Sequence, residues 1–412
     1  MAQRIAVVGA GYAGLACAVE LADAGCHVEV FEASRTLGGR ARSVDWEGMT
    51  VDNGMHILVG AYRETLRLMQ KVGAGKTALK PQSLHLEFPG HVKVAAPRLP
   101  APLHLAWALL TAQGLNWKEK VAAIRFMQAL KKARFRLPRD ITAKQLIANQ
   151  PKALRRFLWE PLCLAALNTP VAIASAQVFL NVLRDSLAAD RAASDFLLPT
   201  VDFSRLFPEP AARFIEAHGG QVHRSRRIHS LDELSDFDHR VLAVAPYHLP
   251  ALAPQIPLPE FAWQPIATIY LQYPASVRLS FPMLGMASGH GQWVFDRGQL
   301  VGQHGLLAVV ISGAGAWQTL SHEELSQAIH REIAILLPNL TIPHKTWVIE
   351  EKRATFACTP NLARPATSTT DPSLWLAGDY VAGDYPATIE GAVRSGIRAA
   401  QSILRQPPCH QA

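Results

Sequence analysis

The 412-residue sequence has few cysteines, and they form none of the patterns that bind metals or build disulfide frameworks. The set is odd in number and scattered, with no C-x-x-C pair. Its members are Cys17, Cys26, Cys163, Cys358 and Cys409. Such a set in a chain of this length is typical of reduced, buried thiols. We therefore expect a reducing compartment and no metal site.

Long apolar runs are missing too. No stretch of 18 or more uncharged apolar residues exists, so we expect no membrane-spanning helix. The first motif begins too close to Met1 to leave room for a signal peptide, which predicts a cytoplasmic protein. Apolar residues still make up 49% of the chain and charged residues only 18%. This composition argues against disorder, and the length favours two domains.

A glycine motif near the start organises the rest of the chain. A short apolar run leads into Gly9, Gly11 and Gly14 at G-x-G-x-x-G spacing, and a second strand-like run ends at Glu32. In this pattern the first glycine allows a tight turn, the second admits a pyrophosphate, and the third lets the helix pack on the sheet. The acid can accept hydrogen bonds from an adenosine ribose. The motif therefore predicts a Rossmann-type dinucleotide site.

A second glycine pair follows this motif. Gly38 and Gly39 allow the backbone to turn close to a ligand, and Arg40 and Arg42 can neutralise phosphate. The alternative is a surface turn with solvated arginines. The position just after a dinucleotide fingerprint favours the ligand-binding turn.

A third motif lies near the other end of the chain. An apolar strand ends in Gly378 and Asp379, so that the Asp379 carboxylate can meet a ribityl or pyrophosphate group. The helix that begins near Thr388 and Ile389 can present its N-terminus to a flavin carbonyl or a phosphate. Gly-Asp alone is a common turn. Together with the N-terminal fingerprint, these residues predict an FAD site assembled from both ends of the chain.

Positive charge is concentrated in one region. Residues 98–156 contain 13 Lys and Arg and two acids, which gives this region a charge of +11. Because the net charge of the whole chain is +8, the remaining residues together carry −3. An apolar part, residues 99–115, precedes a basic amphipathic part, residues 118–136. This pattern predicts peripheral contact with a membrane surface. The alternatives are a solvated helix face or nucleic acid, for which no motif is present, and we expect no nucleic-acid partner.

Two side chains are candidates for proton transfer. His56 ends the polar turn 52–56, which we expect beside a cofactor ring, and a purely structural histidine is the alternative. Glu160 lies among apolar residues, where burial without a partner raises the pKa of a carboxyl group. Pairing with Arg155 or Arg156 is the alternative for Glu160.

Together these segments resemble the FAD-dependent amine oxidase and phytoene desaturase superfamily. The resemblance covers residues 5–42, 219–246 and 374–404. It implies an α/β fold with a Rossmann-type FAD-binding domain built from discontinuous segments and an inserted α+β substrate domain of mixed sheet plus helices. The implied FAD-binding domain comprises 1–75, 205–250 and 365–412, and the implied substrate domain comprises 76–204 and 251–364. Superfamily contacts to FAD fall on Gly9, Gly11, Gly14, Glu32, Gly39, Arg40 and Asp379.

A closer resemblance is to the bacterial hydroxysqualene dehydroxylases of hopanoid biosynthesis. It runs through nearly the whole chain and is strongest in residues 52–62, 158–162, 167–170 and 385–392. It implies reductive removal of the hydroxyl group of hydroxysqualene to give squalene, with hydride from reduced flavin N5. The implied substrate-pocket residues are Asn53, Met55, Trp159, Asn168 and Tyr385. Met55 departs from the family, in which glutamine is usual.

Other functions stay open at this point. A carotenoid-type desaturase would use oxidised FAD in the same fold. A non-catalytic prenyl-lipid carrier of the GDP-dissociation-inhibitor type is disfavoured by the complete glycine set and Glu32. An amine oxidase is disfavoured because no FAD-linking cysteine or aromatic cage is evident. No second nucleotide fingerprint identifies the electron donor, and the predicted location is the cytoplasmic face of the inner membrane.

Overall fold

The structure is a computed structural model that describes residues 2–74 and 78–406. Runs of strands and runs of helices follow one another along the chain. The strands are β1 (Arg4–Val8), β2 (His27–Phe31), β3 (Ser43–Trp46), β4 (Met49–Asp52), β5 (Leu58–Val59), β6 (Leu79–Gln82), β7 (His85–Phe88), β8 (Val92–Ala95), β9 (Phe196–Pro199), β10 (Gln221–His223), β11 (His239–Leu242), β12 (Trp263–Gln272), β13 (Met283–Gly285), β14 (Trp293–Asp296), β15 (Leu306–Ser312), β16 (Lys345–Phe356) and β17 (Leu374–Leu376).

The helices are distributed unevenly and are densest between residues 103 and 187. They are α1 (Tyr12–Asp23), α2 (Arg63–Lys71), α3 (Leu103–Leu110), α4 (Trp117–Lys132), α5 (Ala143–Leu146), α6 (Lys152–Leu154), α7 (Glu160–Leu167), α8 (Ala176–Leu187), α9 (Phe203–Leu206), α10 (Pro208–Ala217), α11 (Leu249–Leu252), α12 (Arg297–Val301), α13 (His322–Leu336) and α14 (Ile389–Leu404). A π-helical turn, Arg155–Trp159, joins α6 to α7.

A parallel sheet carries the glycine motif. In the part of the chain that the structure describes, its five strands follow the order β10-β2-β1-β11-β17, and each pairing is parallel. Four of the five residues of β1 are buried, as expected for a strand covered on both faces. Helices α1, α10 and α14 pack together beside this sheet. Both ends of the chain therefore contribute to one parallel sheet and its covering layer.

A second sheet is built from strands between residues 263 and 356. Its order is β13-β14-β15-β12-β16, and every pairing is antiparallel, whereas the sequence predicted a mixed sheet. The connections from β13 to β14 and from β14 to β15 are shorter than the crossover that a parallel pair requires, which explains the antiparallel pairing of these three strands. Alternate residues of β12 face opposite sides. Ala267 and Ile269 pack under α13, while Ile266 and Thr268 face a large cavity.

The α/β fold class predicted from the sequence is confirmed, with that difference in the second sheet. Four of the five cysteines are free and buried, namely Cys17, Cys26, Cys163 and Cys358. Cys409 lies outside the described residues. Within residues 2–74 and 78–406, no helix is both long enough and apolar enough to cross a bilayer.

Candidate active site at the junction of the two sheets

One cavity of about 980 Å³ extends from the carboxyl ends of β1 and β2 to the open face of the antiparallel sheet. Eleven residues predicted to bind the cofactor line it, and they come from both ends of the chain. They are Gly9, Gly11, Glu32, Gly38, Gly39, Arg40, Arg42, Gly378, Asp379, Thr388 and Ile389. Gly14 lies behind the wall, where a Cβ atom would stand 1.9 Å from the carbonyl oxygen of Gly9.

The glycine loop leaves open space above the first turn of α1. Gly9 has φ = +104°, a conformation that favours glycine. Gly11 caps α1 without a side-chain hydrogen bond, and a Cβ atom placed there would meet nothing closer than the Cα of Gly39, at 4.0 Å. The first N–H groups of a helix are unpaired within the helix and carry partial positive charge. This end of the cavity therefore suits an anionic group such as a phosphate.

Glu32 is fixed at the end of β2. Its Oε2 accepts a hydrogen bond from the Ala10 N–H at 2.8 Å, and its Oε1 accepts one from the Ser34 N–H at 2.8 Å. Each carboxylate oxygen keeps a second lone pair. The carboxylate is thus oriented in the cavity wall and can still accept hydrogen bonds from a ligand.

Arg40 and Asp379 contact each other across the two chain ends. Arg40 Nη2 donates to Asp379 Oδ2 at 2.6 Å, and Arg40 Nη1 donates to the Ala354 carbonyl oxygen at 2.5 Å. The amide of Asn53 donates to the carbonyl oxygen of Arg40 at 3.1 Å. The pairing shows that Arg40 orients the Asp379 carboxylate, a role that spacing along the sequence did not suggest.

Arg364 was not identified from the sequence, yet it organises the loop after Asp379. Its guanidinium donates hydrogen bonds to five backbone carbonyl oxygens, those of Asp379, Tyr380, Val381, Gly383 and Tyr385. A planar guanidinium has five N–H donors in a fixed arrangement, which suits this role. No local sequence signal distinguishes this arginine, because its partners lie 15 to 21 residues away.

His56 and Thr268 present unsatisfied polar atoms to the same part of the cavity. Among the described residues, neither His56 Nε2 nor Thr268 Oγ1 has a hydrogen-bond partner, although both atoms are buried. A Cβ atom at Gly54 would lie 3.6 Å from His56 Nε2 and 3.8 Å from Thr268 Oγ1. Burial, assisted by the charge of Arg40, lowers the pKa of His56 to about 4. A neutral imidazole and a hydroxyl group therefore face a space that a small polar group can enter.

Beyond this point the cavity is largely apolar. Its walls come from β7, α7, α8 and the antiparallel sheet. The apolar lining includes Leu84, Leu86, Leu162, Phe179, Val182, Leu183, Leu187, Phe196, Ile266, Met283, Trp293, Phe295, Val310 and Ile349. This lobe is continuous with the glycine loop, so a long hydrocarbon can lie next to whatever occupies the polar end.

One polar pair interrupts the apolar lobe. Tyr385 donates to Asp185 Oδ2 at 2.5 Å, and Arg184 Nε donates to Asp185 Oδ1 at 2.7 Å. Burial raises the pKa of Asp185, but these hydrogen bonds outweigh burial and leave that pKa below its ordinary value. The carboxylate is therefore charged at neutral pH, and the phenol oxygen of Tyr385 can still accept a hydrogen bond.

The predicted substrate-pocket residues separate into two groups. Asn53, Met55, Asn168 and Tyr385 line the cavity. The amide of Asn168 is already engaged, since Oδ1 accepts from the Gly313 N–H at 2.8 Å and Nδ2 donates to Thr355 Oγ1 at 3.0 Å. Trp159 is instead buried away from the cavity, with Nε1 3.3 Å from Gln150 Oε1.

Glu160 also lies outside the large cavity. It lines a separate hollow of about 300 Å³, together with Arg156, Phe157 and Trp293. A carboxyl group there does not line the cavity that contains His56 and the glycine loop, so the position does not favour proton donation at the site. Residues 226–229 also line the cavity near Glu32 and were not identified from the sequence.

Comparison with known proteins identifies the family. Residues 12–404 match the family described as flavin containing amine oxidoreductase. The chain is 29% identical to a hydroxysqualene dehydroxylase of Sinorhizobium fredii, with 98% of this chain and 99% of the relative covered. It is 28% identical to the enzyme of the same name from Zymomonas mobilis, with 97% and 98% covered. The resemblance predicted from the sequence is thus confirmed.

A carotenoid enzyme is also similar. The chain is 25% identical to a probable zeta-carotene desaturase of Synechococcus elongatus, with 97% of this chain and 98% of the relative covered. Among solved structures, an oxidoreductase from Methanosarcina mazei superposes with a TM-score of 0.75 at 15% identity, covering 97% of this chain and 100% of that one. A putative protoporphyrinogen oxidase from Exiguobacterium superposes with a TM-score of 0.71 at 17% identity, covering 98% and 100%. These two likenesses support the fold.

The match over residues 12–404, the full-length relatives and the cavity built around the glycine loop agree with one another. The chain belongs to the family of flavin-containing amine oxidoreductases and is a flavin-dependent oxidoreductase.

Proposed function

We propose that the flavin is FAD. The open space above Gly11 and the free N–H groups of α1 suit the pyrophosphate, and the oriented Glu32 carboxylate suits the adenosine ribose. Asp379, held by Arg40, lies at the N-terminal side of α14, where Thr388 and Ile389 also line the cavity. An extended dinucleotide is the ligand class that these separated features accommodate together.

The domain division follows from the same argument. The FAD-binding domain comprises residues 1–75, 205–250 and 365–412, and the substrate domain comprises 76–204 and 251–364. Residues 1, 75–77 and 407–412 of these ranges lie outside the described residues. In support, all strands of the parallel sheet fall in the first set, and all strands of the antiparallel sheet fall in the second.

The proposed reaction is reductive dehydroxylation of hydroxysqualene to squalene. The observation that carries it is the continuity of the cavity, in which a long apolar lobe opens directly onto the cofactor end. The apolar lining of this lobe suits a long hydrocarbon chain. Relatives named hydroxysqualene dehydroxylase cover nearly the whole chain. In this reaction the C–O bond breaks, a proton joins the leaving oxygen to give water, and a C–H bond forms. Reduced FAD would supply the hydride, and an external electron donor would restore the reduced flavin.

His56 and Thr268 are positioned to bind the substrate hydroxyl group. Their Nε2 and Oγ1 atoms, like the hydroxyl of the cavity-lining Tyr380, are buried and have no hydrogen-bond partner among the described residues. With a pKa of about 4, His56 is neutral at pH 7 and binds the hydroxyl by a hydrogen bond. Its small protonated fraction is a strong acid, suited to protonating the leaving oxygen. The apolar walls exclude water from the reacting carbon, and the Tyr385–Asp185 pair offers a second polar contact.

Anaerobic single turnover tests the proposal. Photoreduced flavoprotein is mixed with hydroxysqualene, and flavin reoxidation and squalene formation are followed together. We expect one squalene for each flavin reoxidised. Reduced flavin that stays reduced in the presence of hydroxysqualene, with no squalene formed, would refute the reaction.

A carotenoid desaturase is the second candidate, because a relative named probable zeta-carotene desaturase matches at 25% identity. The same apolar lobe would accept a polyene precursor. Incubating the oxidised protein with phytoene separates the two candidates: a desaturated product with flavin reduction supports the desaturase. A non-catalytic prenyl-lipid carrier would instead purify colourless and stay so after FAD is added.

The proposal extends to location. A water-insoluble substrate is most easily taken from a bilayer, and the basic region of residues 98–156 suits the anionic face of a membrane. We therefore assign the protein to the cytoplasmic side of the inner membrane as a peripheral protein.

A further inference from the structure

Exposed apolar side chains are concentrated on one short part of the surface. Of the ten large apolar side chains that are exposed in the described ranges, five lie within residues 99–117. They are Leu99, Leu103, Trp107, Leu110 and Trp117, and the exposed fractions of Leu103, Trp107 and Trp117 are 58%, 54% and 65%. Such clustering marks a site of contact with another surface.

Helix α3 exposes apolar residues on its outer face. Leu103, Trp107 and Leu110 follow one another at i, i+4 and i+7 and are exposed, whereas His104 and Ala108 are buried on the other side. A surface helix whose outer face is in contact with water typically carries polar residues on that face. The outer face of α3 is built for an apolar environment.

The surroundings of this face are basic. Arg98 immediately precedes Leu99, Lys118 immediately follows Trp117, and Lys120 Nζ donates to the Leu110 carbonyl oxygen at 2.7 Å at the end of α3. The ion pairs that the structure describes involve none of the 13 Lys and Arg of residues 98–156, so no carboxylate of the described ranges lies within 4.0 Å of these side chains. Unneutralised cations around an apolar face complement an anionic lipid surface.

The inner face of α3 is tied to the wall of the cavity. His104 Nε2 lies 3.2 Å from Ser194 Oγ, and Ser194 lines the cavity. Just after α3, Gln113 and Lys93 of β8 exchange backbone hydrogen bonds, at 2.9 and 3.2 Å. The partner strand β7 contributes Leu86 to the cavity lining. The helix that carries the exposed apolar face therefore contacts the cavity wall through the His104–Ser194 pair.

We infer that α3 with its flanking residues inserts its outer face into an anionic bilayer and brings the wall of the cavity to the lipid surface. Leu103 and Leu110 enter the boundary of the acyl chains, and Trp107 and Trp117 lie at the headgroup level. Arg98, Lys118 and Lys120 contact the lipid phosphates. The delivery of a lipid substrate through this wall rests on the proposed function, whereas the docking itself rests on the surface described above.

Vesicle co-sedimentation of the full-length flavoprotein tests the docking without any substrate. The vesicles contain phosphatidylcholine with or without phosphatidylglycerol. We expect binding to the anionic vesicles, and a fall of about tenfold or more in affinity for Leu103→Ser/Trp107→Ser/Leu110→Ser. Arg98→Glu/Lys118→Glu should lose affinity by a similar factor. The matched control is Ile335→Ser/Ile342→Ser, which removes exposed apolar side chains (73% and 77%) elsewhere and should bind as the unaltered protein does.

Three outcomes would overturn the inference. The first is no binding to vesicles that contain phosphatidylglycerol. The second is unchanged binding of the triple serine variant with its flavin retained. The third is a loss of binding in the charge-reversal variant without a loss in the triple serine variant. The last outcome would indicate electrostatic adsorption to the lipid headgroups without insertion of α3. If a variant fails to retain flavin, the corresponding single substitutions take its place.

A second measurement tests delivery. The ratio of turnover on vesicle-embedded hydroxysqualene to turnover on the detergent-dispersed substrate should fall for the triple serine variant. An unchanged ratio would contradict delivery through this wall. Absence of turnover in both media, with vesicle binding intact, would refute the proposed reaction and leave the docking standing.

Discussion

Arg297 Nη1 lies 3.0 Å from Asp52 Oδ2, and both side chains are almost fully buried, with exposed fractions of 2% and 4%. Asp52 ends β4 and Arg297 begins α12, so the ion pair joins the segment before His56 to the antiparallel sheet. Asp52 Oδ1 also accepts a hydrogen bond from the Phe203 N–H at 2.9 Å. Burial raises the pKa of Asp52 despite the opposing effect of Arg297. Burial of this carboxyl group therefore has a larger effect on its pKa than the attraction of Arg297.

Breaking one side of this pair should destabilise the protein strongly. Asp52→Asn keeps an acceptor for Phe203 but leaves Arg297 as an unpaired buried charge, which costs about 3–5 kcal/mol. Asp52→Asn/Arg297→Met removes both charges and should be less destabilised than Asp52→Asn alone. Scanning calorimetry of the purified proteins ranks the variants by apparent Tm. An apparent Tm for the double variant below that of Asp52→Asn would contradict this account.

Two alanine substitutions in the glycine motif should have different effects. A Cβ atom at Gly14 would collide with the Gly9 carbonyl oxygen at 1.9 Å, so Gly14→Ala should destabilise the fold by roughly 1–3 kcal/mol. A Cβ atom at Gly11 meets only open cavity, so Gly11→Ala should leave the apoprotein stable and reduce bound flavin. Flavin absorbance and the apparent Tm of the apoproteins separate the two effects. Equal flavin content in Gly11→Ala and the unaltered protein would show that no ligand approaches this backbone.

Arg364→Lys should reduce both flavin retention and turnover. A lysine ammonium has three donors on a flexible stem and cannot replace one planar group that donates to five carbonyl oxygens. The loop that carries Asp379 and Tyr385 should then lose its fixed conformation. The dissociation constant for FAD, measured by fluorescence titration, should rise by about tenfold or more. Arg405→Lys, at the end of α14, is the matched control and should leave the constant unchanged.

The acidity of His56 predicts a pH profile. Because its pKa in the folded protein is about 4, the protonated fraction grows about tenfold for each pH unit lowered from 8 to 5. If protonated His56 donates the proton, the single-turnover rate should rise with the same slope as the pH falls, and His56→Gln should abolish this slope. A rate independent of pH between 8 and 5 in the unaltered protein would exclude His56 as the proton donor. Bound flavin content at each pH is the necessary control.

The same pKa affects stability. A histidine in the unfolded chain has a pKa near 6.5, whereas the pKa of His56 in the folded protein is about 4. Below pH 6.5 the unfolded state therefore binds a proton that the folded state does not bind. The contribution of His56 to stability is present above pH 6.5 and is lost as the pH falls towards 4, by about 2 kcal/mol between pH 7 and pH 5. His56→Gln should therefore show a smaller fall in apparent Tm over this interval than the unaltered protein. Equal falls would indicate that the ring is protonated in the folded state.

The parts of the site that depend on local sequence could be predicted. The glycine spacing, the strand before it and the acid after it lie within about thirty residues, and each has a distinct backbone requirement. The parallel sheet was recognisable because strands covered on both faces have continuous apolar runs. The flavin family followed from these features together with Gly378 and Asp379.

The parts that depend on distant contacts could not be predicted. Arg40 and Asp379 are 339 residues apart, and nothing in either neighbourhood indicates that they pair. Arg364 has no motif at all. Thr268 is one residue of an apolar strand, and only the pairing of that strand determines which face it shares with the cavity. Trp159 and Glu160 have apolar neighbours in sequence, but their helix turns them away from the large cavity.

The order of segments in the parallel sheet has a consequence for synthesis of the protein. Its strands come from residues 4–31, 221–242 and 374–376, and α14, which packs against α1, ends at Leu404. A ribosome therefore releases the glycine loop hundreds of residues before the strand and helix that complete the same site. We expect the nascent chain to bind flavin only after Leu404 has left the exit tunnel, so that cofactor capture is among the last events in the formation of the active protein.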